Sequence, residues 1–262
     1  MYAAPESAGT VGVPDRDAIS AELVNPFTVR LATNRIQFES AFRLIQSSYV
    51  TAGLAKPNAH GLRLTKYHLQ DSTQVFVAEL RGIMISTISL ICDGPVGLPM
   101  DDTYGAELDK RRAAGLRLAE VSCLADRRKH MVRRIPVLME LFRWMVQFAR
   151  VQQVDELMIA VHPKHKKFYE RVLACEVIGD VRQYPSVLNN PAVPFCLNFA
   201  KIDRERPENY DRFFAVPLSL DELTPHRMAA ADRAYFASLL QAQQRHEASD
   251  ADSFQAEAGT VV

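Results

Sequence analysis

ELMIAVHPKHKKFYERVL, residues 156–173, changes character at Pro163. Before it, Leu157 to Val161 is an unbroken apolar run, the pattern of a strand covered on both faces. After it, KHKKFYERVLA spaces Phe168, Val172 and Leu173 for one face of a helix. Proline cannot donate to a strand ladder, yet it fits the first turn of a helix. The stretch therefore predicts a central strand that passes directly into a helix.

Working outward, strand and helix signals alternate. PFTVRLA (26–32) reads as a strand, and RIQFESAFRLIQSSYV (35–50) as a helix through Phe38, Phe42 and Ile45. TQVFVAEL (73–80) and GIMISTISLIC (82–92), joined at Leu80-Arg81-Gly82, read as an antiparallel hairpin. A Pro-rich loop and the short charged helix TYGAELDKRRAAG lead to LRLAEVSCL (116–124), a further strand. IPVLMELFRWMVQFARV (135–151) spaces Leu138, Leu141, Phe142, Met145, Phe148 and Ala149 for a buried helix face. VPFCLNFAKI (193–202) is the last strand. The order predicts a mixed α/β fold, with a central, mostly antiparallel sheet flanked by helices.

Residues 1–24 and 248–262 lack periodicity and read as disordered tails. The domain is expected over 25–202, followed by a helical C-terminal extension over 203–247, with a helix from about Thr224. Hydrophobic residues make up 48% of the chain, enough for a sizeable core. The formal net charge of zero argues against a polyanion binder, and the basic clusters lack the interleaved aromatics of a nucleic-acid surface. Four scattered cysteines suit a reducing compartment. The N-terminus has no signal-peptide pattern and no stretch approaches ~18 apolar residues, so a cytoplasmic protein without a transmembrane segment is expected.

Three blocks resemble a known family: GLRLTKYHLQDSTQVFVAE (61–79), GPVGLPMDDTYGAELDKRRAAGLRLAEVS (94–122) and VHPKHKKFYERVL (161–173). With the element order, they make residues 27–200 similar to GNAT-fold N-acyl amino acid synthases of the FeeM type, relatives of the acyl-homoserine-lactone autoinducer synthases. The resemblance implies a GNAT-like acyltransferase that moves a long-chain acyl group from acyl carrier protein to the amine of an amino acid. The donor is then an acyl-phosphopantetheine thioester, and no tightly bound cofactor is expected. Two positions depart from the family pattern, His162 replacing a usual Asn and Ala174-Cys175 a common Gly-Phe, and the C-terminal extension lies outside the shared core.

Aminolysis of a thioester needs a base for the amine, a stabilised oxyanion and a proton for the leaving thiolate. Period two along LRLAEVSCL puts Leu116, Leu118, Glu120, Ser122 and Leu124 on one face. A carboxylate in that apolar row would be desolvated and made more basic, so Glu120 is the candidate base. Ser122, on the same face, is a candidate substrate contact. By resemblance, Tyr169 protonates the leaving sulfur, although Phe168, Tyr169, Val172 and Leu173 would equally make an ordinary packing set. Tyr49 and Leu54 are candidates for the acyl lining.

DRRKHMVRR (126–134) stands where a coenzyme-A-using relative has a Gly-rich phosphate loop, and it contains no glycine. Arg127, Arg128, Lys129, Arg133 and Arg134, with Lys164, Lys166 and Lys167, would instead attract an acidic carrier protein. His165 is placed near the substrate at a helix start. His162 and His165 lack a third ligand of suitable spacing, so no metal is expected. An autoinducer synthase, a coenzyme-A-dependent N-acetyltransferase and an inactive acyl-binding domain are the other readings. The presence of both Glu120 and Tyr169 weighs against the last.

Overall fold

Arg81 and Gly82 both adopt left-handed backbone, with φ of 50° and 75°. That pair of conformations makes the tight turn whose twist matches two antiparallel strands. It sets Leu80 opposite Ile83 and so the register of β2 (Thr73–Leu80) on β3 (Ile83–Cys92). The structure, a computed structural model, describes residues 27–127 and 134–258, with the side chains of 134 and 246–258 left aside. The expected N-terminal tail and Arg128, Lys129 and Arg133 lie outside the described residues.

The hairpin lies one strand in from the edge of a single large sheet. β1 (Thr28–Leu31) pairs with β2, and β4 (Leu118–Asp126) with β3, both antiparallel. β5 (Glu156–Val161) runs parallel to β4, and β8 (Asn190–Asn198) antiparallel to β5. The short strands β6 (Glu176–Val177) and β7 (Arg182–Tyr184) pair with β8. Sequence reading passes over both, since two or three residues carry no periodicity. The sheet is mixed and mostly antiparallel, and helices flank it, as the element order predicts.

Helices cover both faces. α1 (Arg35–Thr51) begins at Asn34, whose side chain accepts the Gln37 N–H at 3.1 Å, and it buries Phe38, Ala41, Phe42 and Ile45. α2 (Asp101–Ala113) carries acids in its first turn and Lys110, Arg111 and Arg112 in its last, matching the helix dipole. α1 and α2 share a face with Val75, Ile91, Leu118 and Met158. α3 (Arg134–Val151) and α4 (Lys166–Val172) lie on the opposite face, where Phe142, Met145, Phe148, Tyr169 and Leu173 pack on Phe76, Val121, Ile159 and Phe195.

The last strand is shorter than its apolar run suggests. Asn198 ends it by accepting the Lys201 N–H at 2.8 Å, which starts α5 (Phe199–Glu205). α6 (Tyr210–Phe214) follows on the α3 face, where Phe213 O accepts from Gln147 Nε2 at 2.6 Å. The chain then crosses the end of the sheet, with His226 N–H donating to Gln74 Oε1 at 2.9 Å. α7 (Ala230–Ala258) starts six residues after Thr224 and continues into the stretch read from sequence as a tail. Its Phe236, fully buried, meets Phe38 and Phe42 edge-on. Among the described residues no helix is long and apolar enough to cross a membrane.

Ala174, one of the two departures from the family pattern, has a φ of 53°, and the turn it makes is closed by Cys175 N–H donating to Tyr169 O at 3.0 Å. Glycine carries no penalty in this conformation. Ala174→Gly is expected to stabilise the fold by ~1 kcal/mol, and Gly82→Ala to destabilise it by a similar amount. A Cβ at Gly82 meets nothing within 4 Å, so that loss is conformational. Chemical denaturation of the two variants checks both signs, and equal signs would refute the argument.

Candidate active site

Glu120 is only 2% exposed, and its Oε2 accepts the Met100 N–H at 2.7 Å. Burial raises its pKa well above the ordinary carboxylate range; the Met100 hydrogen bond opposes the rise and the nearby Asp101 charge adds to it. Met100 is held in turn by its neighbours. Asp101 Oδ2 accepts the Leu98 N–H at 2.7 Å, and Arg112 grips both Asp101 (2.7 Å) and Asp93 (2.6 Å). Burial acts to raise the Asp101 carboxyl, but Arg112 and the Leu98 amide outweigh it and keep Asp101 ionised to lower pH.

Beside Glu120 the sheet opens. β4 pairs with β5 from Leu118↔Glu156 to Val121↔Ile159, and no further pair joins them although both strands run on. β4 also bulges. Ser122 opposes Ser89 and Ala125 opposes Thr87, which leaves one extra residue on β4, and Cys123 takes a φ of 55°. The bulge corrects the period-two reading. Leu116, Leu118 and Glu120 share the expected face, but Leu124 packs with Ala119 and Val121 on the α3 side. Cys123 and Ala125 move to the α1 side instead.

Tyr169 approaches the same gap from the other face. Its ring stacks on Phe195 (5.7 Å) and meets Phe142 and Phe168 edge-on. Phe195 is the cross-strand partner of Ile159, the last β5 residue paired with β4. The ring is therefore buried among aromatics. Burial raises the pKa of its hydroxyl, with a further contribution from Cys175. Tyr49, whose own pKa is raised by burial, feels Cys123, Arg63, Tyr169 and Glu120.

The other predicted residues are spread out. Ser122, half-buried, donates to Cys123 Sγ at 3.6 Å. His165 is exposed at the N-cap of α4, while His162 Nδ1 accepts the Lys164 N–H at 3.1 Å. Arg127 Nε donates to Met84 O at 2.7 Å, which ties the end of β4 to β3. Lys164, Lys166 and Lys167 are exposed. Leu54 is half-buried, with its N–H on Tyr49 O.

Several residues on the Glu120 face escape sequence reading. His68, 3% exposed, accepts the Thr65 N–H on Nδ1 at 3.2 Å and reaches Ser89 through Nε2 at 3.4 Å. Burial, followed by the Arg63 charge, pushes its pKa down to about 4. Tyr184 is buried, and its pKa is raised by burial and then by Glu120. The signal for Arg63 was present: Leu62 and Leu64 are both buried, and alternation aims the residue between them elsewhere.

The chain matches the family model of the N-acyl amino acid synthase FeeM over residues 40–198. Among solved structures, FeeM, an N-acyl amino acid synthase from uncultured soil microbes, is similar at 28% identity and a TM-score of 0.62. That match covers 71% of this chain and 97% of the other. The AHL synthase LasI shares the fold at 12% identity and a TM-score of 0.55, over 74% of this chain and 96% of its own. No curated protein sequence matches the chain. Its GNAT-like sheet and the family match over most of the domain place the chain in the N-acyl amino acid synthase FeeM family, and it is an acyltransferase.

Proposed function

We propose that the enzyme transfers a long-chain acyl group from the phosphopantetheine thioester of an acyl carrier protein to the amine of an amino acid. The observation that carries this reading is the buried Glu120 carboxylate beside the opening between β4 and β5. A thioester in that opening meets Glu120 on one face and Tyr169 on the other. Glu120 takes the amine proton, directly or through water, as nitrogen attacks the carbonyl carbon. A β4 backbone amide at the gap stabilises the oxyanion. Collapse breaks the C–S bond, and the Tyr169 hydroxyl gives its proton to the sulfur. Tyr49 and Leu54 contribute to the wall for the acyl chain.

Glu120→Gln keeps the shape and the acceptor for Met100 N–H but removes the base, so turnover should fall ~10²- to 10⁴-fold. Stability should move the other way. Below about pH 4.3 the carboxyl is protonated in both folded and unfolded chains, and it contributes nothing. As pH rises further the unfolded chain ionises freely, while the folded chain holds its proton or ionises without solvent. Folding stability then declines. Glu120→Gln should therefore gain Tm relative to the parent as pH is raised from about 5 to about 8. Unchanged turnover would remove Glu120 from the mechanism.

For Tyr169→Phe, ring packing survives and only the hydroxyl is lost. The departing thiol has a pKa near ~8.5, so its expulsion needs little help, and a ~10- to 100-fold loss in kcat is expected with an unchanged KM. A lowered Tm with normal kcat would leave Tyr169 a packing residue.

Acyl carrier protein conjugates should outcompete acyl-coenzyme A, and the preference should fade with salt, because surface attraction is screened beyond ~8 Å at physiological ionic strength. Arg127 fastens a strand, so the exposed lysines give a cleaner test. Changing Lys164, Lys166 and Lys167 together to Ser should raise the KM for the carrier and spare that for the amino acid. Equal use of both donors at all salt concentrations would exclude carrier docking.

A further inference from the structure

Arg63 is a cation on the α1 side of the sheet, the side that carries Glu120. Its backbone is fixed, since its N–H donates to Phe42 O at 3.0 Å. The preceding turn is closed by Asn58, which exchanges side-chain bonds with both backbone groups of Leu62. The side chain lies with its guanidinium 4.7 Å from the centre of the Tyr49 ring. One Nη2 proton goes to Ser186 O on the turn between β7 and β8. Nε is buried and has no hydrogen-bond partner. Among the described residues no carboxylate forms an ion pair with Arg63.

A buried donor on a permanent cation is costly to leave unmade, and the guanidinium fork matches the two oxygens of a carboxylate. The position of Arg63 says which carboxylate. Arg63 grips the turn that follows Tyr184, and Tyr184 packs with Met100, Leu118 and Met158, the residues around Glu120. The cation and the carboxyl group therefore border one space, walled by Tyr49 and Tyr184. An α-amino acid carries on one carbon the two groups this pair would take, a carboxylate for Arg63 and an amine for Glu120. We propose that Arg63 binds the α-carboxylate of the acceptor, so that the enzyme selects amino acids over simple amines. The proposal rests on the acceptor reading above and names the group that recognises it. Tyr49 supplies the face that holds the guanidinium when the site is empty, and Ser186 fixes its direction.

Two measurements test this. In the first, the parent enzyme and Arg63→Met are assayed with the best acceptor among the twenty common amino acids and with the amine left by its decarboxylation. The parent should prefer the amino acid about 10- to 100-fold in kcat/KM, the usual worth of a hydrogen-bonded charge. Arg63→Met should lose that preference, keep its activity on the amine, and keep its KM for the acyl donor. In the second, calorimetry compares N-octanoylglycine with N-methyloctanamide, the same amide without its carboxylate, and no turnover is required. The parent should bind the glycine compound more tightly, Arg63→Met should bind the two alike, and Arg63→Lys should fall between. An acceptor preference that survives in Arg63→Met overturns the proposal, as does equal weakening of both ligands or a raised donor KM. Absence of any transfer would count against the acyl-transfer reading, while the calorimetric comparison would still decide the role of Arg63.

Discussion

The bond from Met100 N–H to Glu120 ties the loop before α2 to the middle of β4. Glu120 stands in the middle of β4, between Ile91 on β3 and Met158 on β5, where a carboxylate has lost nearly all its water. One backbone donor is enough to orient it and too little to restore its acidity, which is how a carboxyl group becomes a usable base. The donor is itself built from a distance. Arg112, at the far end of α2, holds Asp93 and Asp101, and Asp101 holds the loop that ends at Met100. These ions are partly exposed and contribute little to stability individually. What they do is fix the position of one amide.

The bulge at Cys123 is the second half of the arrangement. An extra residue bends a strand and increases its twist, and β4 leaves β5 at the step before the bulge. Parallel pairing makes this possible: β4 and β5 are joined through α3, not by a tight turn, so their far ends are free to diverge. Left-handed geometry at a cysteine costs energy that a regular strand would not. The cost is confined to the place where the sheet must open, and it brings the Cys123 thiol to the face that carries Glu120 and Tyr49.

Much of this was legible in the sequence because apolar periodicity reports burial. The ELMIAV run, the hairpin and the long helix each appear as read, and Glu120 is desolvated for the reason its row of leucines suggests. Local exceptions to periodicity were not legible. Nothing in LRLAEVSCL marks Cys123 as a bulge, so period two puts Leu124 on the wrong face. Asn198 does carry a sign, since Asn is a strong helix cap, but it lies inside an apolar run that continues through Phe199 and Ile202. Met100 contributes only its amide to the site, and a backbone group leaves no trace in residue type. Arg63 bonds the Ser186 carbonyl, on the turn that follows Tyr184, a contact between distant residues that no spacing rule encodes.

The C-terminal extension shows why the site needs more chain than the sheet itself. Phe213 and Leu223 pack on the α3 face and Phe236 on the α1 face, so this segment spans both layers around one end of the sheet. A fully buried phenylalanine between Phe38 and Phe42 sets how α1 lies on the sheet. α1 carries Tyr49 near its last turn, and the Phe42 carbonyl near its middle fixes the Arg63 backbone. The path from Phe236 through Phe42 to Arg63 is therefore continuous packing and hydrogen bonding. Interiors are close-packed and pass displacement from neighbour to neighbour. The extension thus helps hold α1, with Tyr49 on it and the Arg63 backbone bonded to it.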